Sequence, residues 1–301
     1  MSATEEIFNV TRPSGRQLVG TLLLPKKDKG IIRSGPCVVF VHGTLSDRNH
    51  NFVPDLCLKI VKDIGCATFR YDSRFGPSEE EPEHRYKFSG YADDVDDLKC
   101  VILSLQNEGF EVFCLVGHSR GANDVMLLAA EESANIIHAK DDSFIRPHLF
   151  DVHKLALVAA APRFHMPRML YTLFAEDQIA QLGTDVASFP WVTQRGELTV
   201  TKEDADVVLK GIDMAAVLSN ISADIPILLL HGTDDELIPL DDAKCFKEAR
   251  PSIDLAVIDG ARHAFRGKKQ LKAFLTASSN FIRKQFDRFY SPTSVSAGNS
   301  A

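Results

Sequence analysis

Apolar residues along this 301-residue chain fall into two kinds of segment that alternate. Six short runs are apolar nearly throughout: "PCVVFVHG" (36–43), "CATFRYD" (66–72), "VFCLVGH" (112–118), "KLALVAAA" (154–161), "PILLLHG" (226–232) and "IDLAVIDG" (253–260). Runs of this length, rich in β-branched residues and without polar alternation, predict strands covered on both faces, as in a parallel sheet. Between them, apolar positions at helical spacing predict helices over Val53–Ile64, Tyr91–Glu108, Ala122–Glu132 and Leu240–Ala249, and from Lys269 to about Tyr290. Two further strand-like runs, Glu6–Arg12 and Gln17–Leu24, flank the turn signal "PSG" and predict an antiparallel hairpin at the sheet edge. The fold class is therefore α/β: a doubly wound, mostly parallel sheet with right-handed crossovers, whose ligand site lies beyond the carboxyl ends of the strands.

One interval breaks the alternation. About sixty residues separate Ala161 from Pro226, well beyond an ordinary βα connection. The first part, "HMPRMLYTLFAEDQIAQLGTDVASFPWV", is dense in Met, Leu and aromatics, and a helix-like "TKEDADVVLKGIDMAAVLSNI" follows it. We expect a helical cap over 165–224, inserted late in a core made of 1–164 and 225–290, with a polar Ser/Gly-rich tail over 291–301 that does not fold. Tyr171, Phe174, Phe189 and Trp191 of this interval are candidates to face a substrate, although packing of the cap on the core would also use them.

Composition narrows the class. Apolar residues make up 45% of the chain, enough for a sizeable core. The net charge of -7 comes from acidic and basic residues mixed along the chain, without a basic cluster interleaved with aromatics, so nucleic acid is not an expected partner. The six cysteines show neither C-x-x-C nor zinc-ligand spacing, and no metal or organic cofactor is expected. Buried thiols, the absence of a leader-like start and of any span-length apolar run predict a cytoplasmic protein without a stable membrane anchor.

Candidate chemistry centres on "CLVGHSRGAND". Ser119 stands between Gly117 and Gly121 where an apolar strand meets a helix, a turn tight enough to exclude side chains at both flanks and push the hydroxyl above the sheet. Beside a helix N-terminus, that position favours developing negative charge. A nucleophilic serine needs a base, and the base an orienting acid. Asp234, Asp235 and Glu236 follow one strand directly in "LLLHGTDDELIP", and His263 follows the next in "AVIDGARHAF".

Taken together, "VVFVHG", "FRYD", "GHSRG", "HGTDDELIP" and "GARHAF" resemble the α/β-hydrolase superfamily. The likeness is closest to its capped serine esterase and serine aminopeptidase-like branch, which includes cinnamoyl esterase-like hydrolases. "GELTVTKEDADVVL" also looks like cap sequence of that branch. The resemblance selects Asp235 as the acid, because His231, Gly232, Ile238 and Pro239 then fall in the family's register. It makes Ser119, Asp235 and His263 the catalytic triad, and the backbone N–H groups of Thr44, in "HGT", and of Arg120 the oxyanion hole. His42 is expected to hydrogen-bond locally.

What this implies is a serine hydrolase that cleaves carboxyl esters of small to medium apolar or aryl acyl groups through an acyl-serine. A peptidase or thioesterase with the same triad, or a non-catalytic binding protein on the scaffold, are the alternatives. The partner is then a small-molecule ester. One stretch departs from the pattern: "RYDSRFGPSEEEPEHR" carries Phe75 and a single Gly76 where relatives have a G-x-G loop, so Ser73–Ser78 bears on the active-site entrance.

Overall fold

A computed structural model describes residues 2–28, 30–73, 90–138, 149–168, 174–182, 188–193, 196–201 and 212–291. Chain order gives β1 (Ser2–Thr11), β2 (Gln17–Lys27), β3 (Gly30–Ile31), β4 (Gly35–Val41), α1 (Val53–Asp63), β5 (Ala67–Tyr71), α2 (Tyr91–Asn107), β6 (Phe110–His118) and α3 (Arg120–His138). Then follow β7 (Ala156–Ala160), α4 (Glu176–Leu182), β8 (Ser188–Thr193), β9 (Gly196–Thr201), α5 (Met214–Asn220), β10 (Ile227–Gly232), α6 (Leu240–Ala249), β11 (Asp254–Ile258) and α7 (Lys268–Tyr290).

Among the described residues one large sheet runs in the order β1-β2-β5-β4-β6-β7-β10-β11, with β3 beside β2. The β1/β2 hairpin is antiparallel and forms the edge the sequence predicts; β2 also meets β5 antiparallel, and the pairs from β5 through β11 are parallel. From β4 the chain first steps outward to β5 and then crosses back to β6 on the other side. That reversal opens a crevice between the carboxyl ends of β4 and β6, the place where open α/β sheets bind ligands.

Alternate residues of the central strands enter opposite cores. Cys37, Val39 and Val41 of β4 join the side chains of α2, α3, α5 and α6, while Val38 and Phe40 join α1 and α7. Phe113 interrupts this in β6: the register steps from Cys37 opposite Val112 to Val38 opposite Cys114, so Phe113 is an extra residue. As in other bulges, the extra residue re-aims its neighbours, and Phe113 and Cys114 both enter the α1/α7 core. Of the strands expected to be covered on both faces, β11 is the exception, because as an edge strand it leaves Val257 exposed.

The cap elements lie between β7 and β10. They are helical at α4 and α5, and they also contain a two-stranded antiparallel ribbon, β8 with β9, where Trp191 pairs with Leu198. The sequence reading did not foresee this ribbon. Tyr171, Phe75, Gly76 and Ser78, most of the helix-like "TKEDADVVLKG" and residues 292–301 lie outside the described residues.

Candidate active site

β6 ends at His118, α3 begins at Arg120, and Ser119 alone makes the turn. Its φ of +55° lies in the left-handed region, a strained position for a side chain bearing a Cβ. The chain holds it there by donating the Ser119 N–H to Ala160 O at 2.8 Å on the neighbouring strand. Both flanking glycines are required by contact. A Cβ on Gly117 would stand 2.2 Å from Gly121 O, and one on Gly121 would stand 2.3 Å from Val41 O.

The Arg120 side chain is drawn back into the protein, with Nε donating to Asp94 at 2.5 Å and the guanidinium over the Tyr91 ring. As the first residue of α3, Arg120 has a backbone N–H that no carbonyl within the helix can reach. Thr44 follows the adjacent strand β4 and lines the same cavity as Ser119 and Arg120. Gly43 is packed close, since a Cβ there would come within 3.0 Å of the Ser119 Cβ. His42 is engaged locally, as expected: Nδ1 bonds Gly43 O at 2.8 Å and Nε2 accepts the Ser73 N–H at 3.1 Å. Ser73 thereby ties the start of the departing Ser73–Ser78 loop to the Thr44 turn.

Asp235 and His263 come from the two loops after β10 and β11. His263 Nδ1 lies 2.9 and 3.1 Å from the two carboxylate oxygens of Asp235, whose side chain has no solvent exposure. One of those oxygens also accepts the N–H groups of Leu237 and Ile238, at 2.9 and 2.8 Å. Burial resists ionisation of Asp235, but the His263 hydrogen bond and charge and the two backbone donors outweigh it, so its pKa is lowered. Asp234, by contrast, is exposed and accepts from the Thr233 hydroxyl. The third acid, Glu236, receives the His263 N–H and pairs with Arg262.

Ser119, His263, Thr44 and Arg120 share one cavity of about 660 Å³, lined on the cap side by Trp191 and Val192 of β8. Phe174 packs edge to face on Trp191, with ring centroids 5.1 Å apart. Of the four aromatics singled out in the sequence, then, Trp191 is in the wall and Phe174 behind it. Tyr171 and the Phe189 side chain lie outside what is described.

Two histidines to which the sequence reading gave no role in the site, His231 and His118, hold this arrangement. His231 Nε2 donates to Ile238 O at 2.9 Å, which secures the turn around Asp235. His118, the middle residue of "GHS", reaches His263 O at 3.0 Å through Nε2 and stands ring to ring with His263 at 4.9 Å. Burial, and then the nearby His263 charge, push the His118 imidazole from 6.5 down to about 3, against the pull of its bond to His263 O.

In the folded protein His118 is therefore neutral, and its depressed pKa has a sign that can be tested. Above pH 6.5 neither state holds the extra proton; below it the unfolded chain takes up a proton that the folded chain refuses, until about pH 3. Stability should fall over that window by up to about 1.4 kcal/mol per pH unit from this residue alone. The buried carboxyls of Asp94 and Asp124 are raised by burial and act in the opposite direction, so the test compares variants. Urea unfolding from pH 7 to 4 should show a shallower loss in His118→Gln than in the parent, and equal slopes would refute the neutral, buried imidazole.

Positions 34–269 match the family described as serine aminopeptidase, S33, a span that includes Thr44, Ser119, Asp235 and His263. The chain is 26% identical to a non-heme chloroperoxidase of Kitasatospora aureofaciens, over 76% of this chain and 85% of that protein. Among solved structures it is similar to Est1E from Butyrivibrio proteoclasticus with ferulic acid bound, at a TM-score of 0.69 and 19% identity over 93% of this chain and 99% of that one. It is also similar to an esterase domain from Rhodothermus marinus, at 0.59 and 18% over 94% and 99%. The two structural likenesses show the fold, and the family match covers well over half the chain. The chain therefore belongs to the serine aminopeptidase S33 family of α/β-hydrolases.

Proposed function

We propose that this serine hydrolase cleaves carboxyl esters with Ser119 as nucleophile, His263 as general base and Asp235 as the group that orients the imidazole. The observation that carries this reading is the strained Ser119 at φ +55° opening on a cavity it shares with a histidine whose Nδ1 is bound to a buried carboxylate. With Nδ1–H donated to Asp235, the lone pair of His263 is on Nε2. That nitrogen takes the Ser119 proton as the oxygen attacks the ester carbonyl. The Thr44 and Arg120 amides receive the oxyanion, the alcohol leaves with a proton from His263, and water enters by the same route to release the acid.

The cavity wall favours esters over peptides with a free amino terminus. An α-ammonium group needs a carboxylate, and among the described lining residues the carboxylate is Glu236, already engaged by Arg262 and the His263 N–H. The ferulic acid bound by Est1E supports an aryl or apolar acyl group here, and the Trp191 wall offers a surface for it. All six cysteines are free, four of them buried, which supports a reducing, cytoplasmic setting. Among the described residues no helix is long and apolar enough to cross a membrane. Turnover measured on a panel of acyl esters, aryl esters, thioesters and aminoacyl amides tests the reading, and cleavage confined to the amides would overturn it.

Trp191 sets the expected acyl range. Each methylene that fits against an apolar wall gains about 0.8 kcal/mol, about fourfold in kcat/KM, until one no longer fits. Activity on p-nitrophenyl esters should peak at short to medium acyl chains. Trp191→Ala should move the peak to longer chains, and Phe174→Ala should do so less, because it acts through Trp191. If both variants lose thermal stability while the profile stays in place, these aromatics only pin the cap.

A further inference from the structure

Among the described residues four charged side chains line the cavity in this net acidic protein: Arg120, Arg163, Arg266 and Glu236. Two are neutralised, Arg120 by Asp94 and Glu236 by Arg262. Arg266 is exposed, and its side-chain contacts among the described residues are Nε donating to Asn51 Oδ1 at 3.1 Å and Nη2 3.3 Å from His50 Nε2. Arg163 is the unusual one. It is only 5% exposed, yet among the described residues it forms no ion pair, and its side-chain hydrogen bond is from Nη2 to the Leu237 carbonyl at 2.9 Å. Its Nη1 is buried and has no hydrogen-bond partner among the described residues.

An uncompensated buried guanidinium is costly, and a buried polar atom without a partner calls for an explanation in what it binds. Burial pushes the Arg163 pKa below the ordinary guanidinium value despite Asp242, Tyr91 and Asp235 farther off, so the surroundings leave its charge under-compensated. Its position is built rather than incidental. The Arg163 N–H donates to Asn123 Oδ1 at 3.0 Å and Asn123 Nδ2 returns a bond to Arg163 O at 2.7 Å, which ties this loop to the first turn of α3, beside Ser119. The Leu237 contact ties it to the Asp235 loop. Arg163 is thus held between the elements that carry the nucleophile and the acid.

We propose that the cavity takes esters bearing a carboxylate, and that the guanidinium of Arg163 holds that carboxylate while Ser119 attacks the ester. This rests on the serine-esterase reading above and narrows its substrate class. One guanidinium supplies one unit of charge, which matches a carboxylate monoanion. Exposed Arg266 in the same lining adds a field of the same sign that raises the local concentration of anionic substrates.

The test compares esters matched in chain length. One arm sets mono-p-nitrophenyl adipate against p-nitrophenyl hexanoate, with the anion on the acyl side; shorter hemiesters are avoided because their carboxylate attacks their own ester. A second arm sets 3-carboxyphenyl hexanoate against phenyl hexanoate, with the anion on the alcohol side. In at least one arm the parent enzyme should favour the anionic ester by about tenfold to a hundredfold in kcat/KM, the range of a charged hydrogen bond. Arg163→Gln should collapse that ratio towards unity, and Arg163→Lys should keep part of it. Preference for the neutral ester in both arms, or a ratio that Arg163→Gln leaves in place, overturns the proposal.

A second readout needs no turnover. Adipate should slow the labelling of Ser119 by a fluorophosphonate in the parent and protect Arg163→Gln much less; no protection of the parent, with neither anionic ester cleaved, also overturns it. Labelling separates the two failures. A parent protein that neither labels nor hydrolyses any ester removes the esterase reading and this proposal with it, whereas one that labels and prefers the neutral ester in both arms removes the proposal alone.

Discussion

Ser119→Ala should lower kcat for ester hydrolysis by about five to six orders of magnitude, the loss seen when a triad nucleophile is removed. It should also leave the protein folded. The substitution deletes one half-buried hydroxyl; the Ser119 N–H bond to Ala160 O belongs to the backbone and remains, as do the close contacts of Gly117 and Gly121. The strain at φ +55° also remains, because alanine carries a Cβ in the same place. Ser119→Gly would release that strain and should be the more stable of the two by about 1 kcal/mol, with the same loss of activity. Rates on p-nitrophenyl esters, fluorophosphonate labelling and thermal unfolding of both variants check these statements together. Turnover above about 1% in purified Ser119→Ala, far beyond the residual that oxyanion donors alone support, would refute the nucleophile.

Asp235→Asn should lower kcat by about three to four orders of magnitude, because the carboxamide can offer its NH2 to His263 Nδ1 and so move the ring proton to Nε2. In that tautomer Nε2 cannot accept from Ser119. The amide oxygen can still receive the Leu237 and Ile238 N–H groups, so the loop should survive. Asp234→Asn is the control, since that side chain is exposed and touches Thr233 rather than His263; its effect should stay within about threefold, as surface changes usually do. Acid stability gives a second readout. Because the Asp235 pKa is lowered from 3.8, its carboxylate contributes stability that is present above that pH and is lost as pH falls through the folded-state value. Asp235→Asn should remove that part of the acid transition. A larger kinetic effect at Asp234 than at Asp235 would place the acid one residue earlier.

Chain-local features explain how much was legible beforehand. The central strands are covered on both faces, so they appear as unbroken apolar runs, and β4, β6, β7 and β10 lie where those runs predict. The Ser119 turn was legible for a similar reason: two glycines are needed within five positions, and both contacts that demand them arise from one tight reversal and the strand beside it. The β8/β9 ribbon was not. Its strands are six residues each, Pro190 interrupts the first, and helix-forming sequence precedes it, so local propensity pointed to helix while pairing of Phe189 with Val200 and Trp191 with Leu198 decided for strand. Outward placement of β11 was equally hidden, because a half-exposed edge strand and a covered one can carry the same apolar run.

The sequence by itself determined the sheet, its crossovers and the order of Ser119, Asp235 and His263, since each depends on residue types and spacings within one strand, turn or motif. Only the tertiary structure decided which charges are paired. Asp235 meets His263 across 28 positions, His118 reaches His263 across 145, and Arg163 reaches Leu237 across 74. An arginine after "AAAP" reads the same whether a carboxylate stands beside it or not. Its burial, its single side-chain hydrogen bond and its Nη1 without a partner among the described residues are set by loops that the fold brings together from β7, β10 and α3, and no local pattern encodes them.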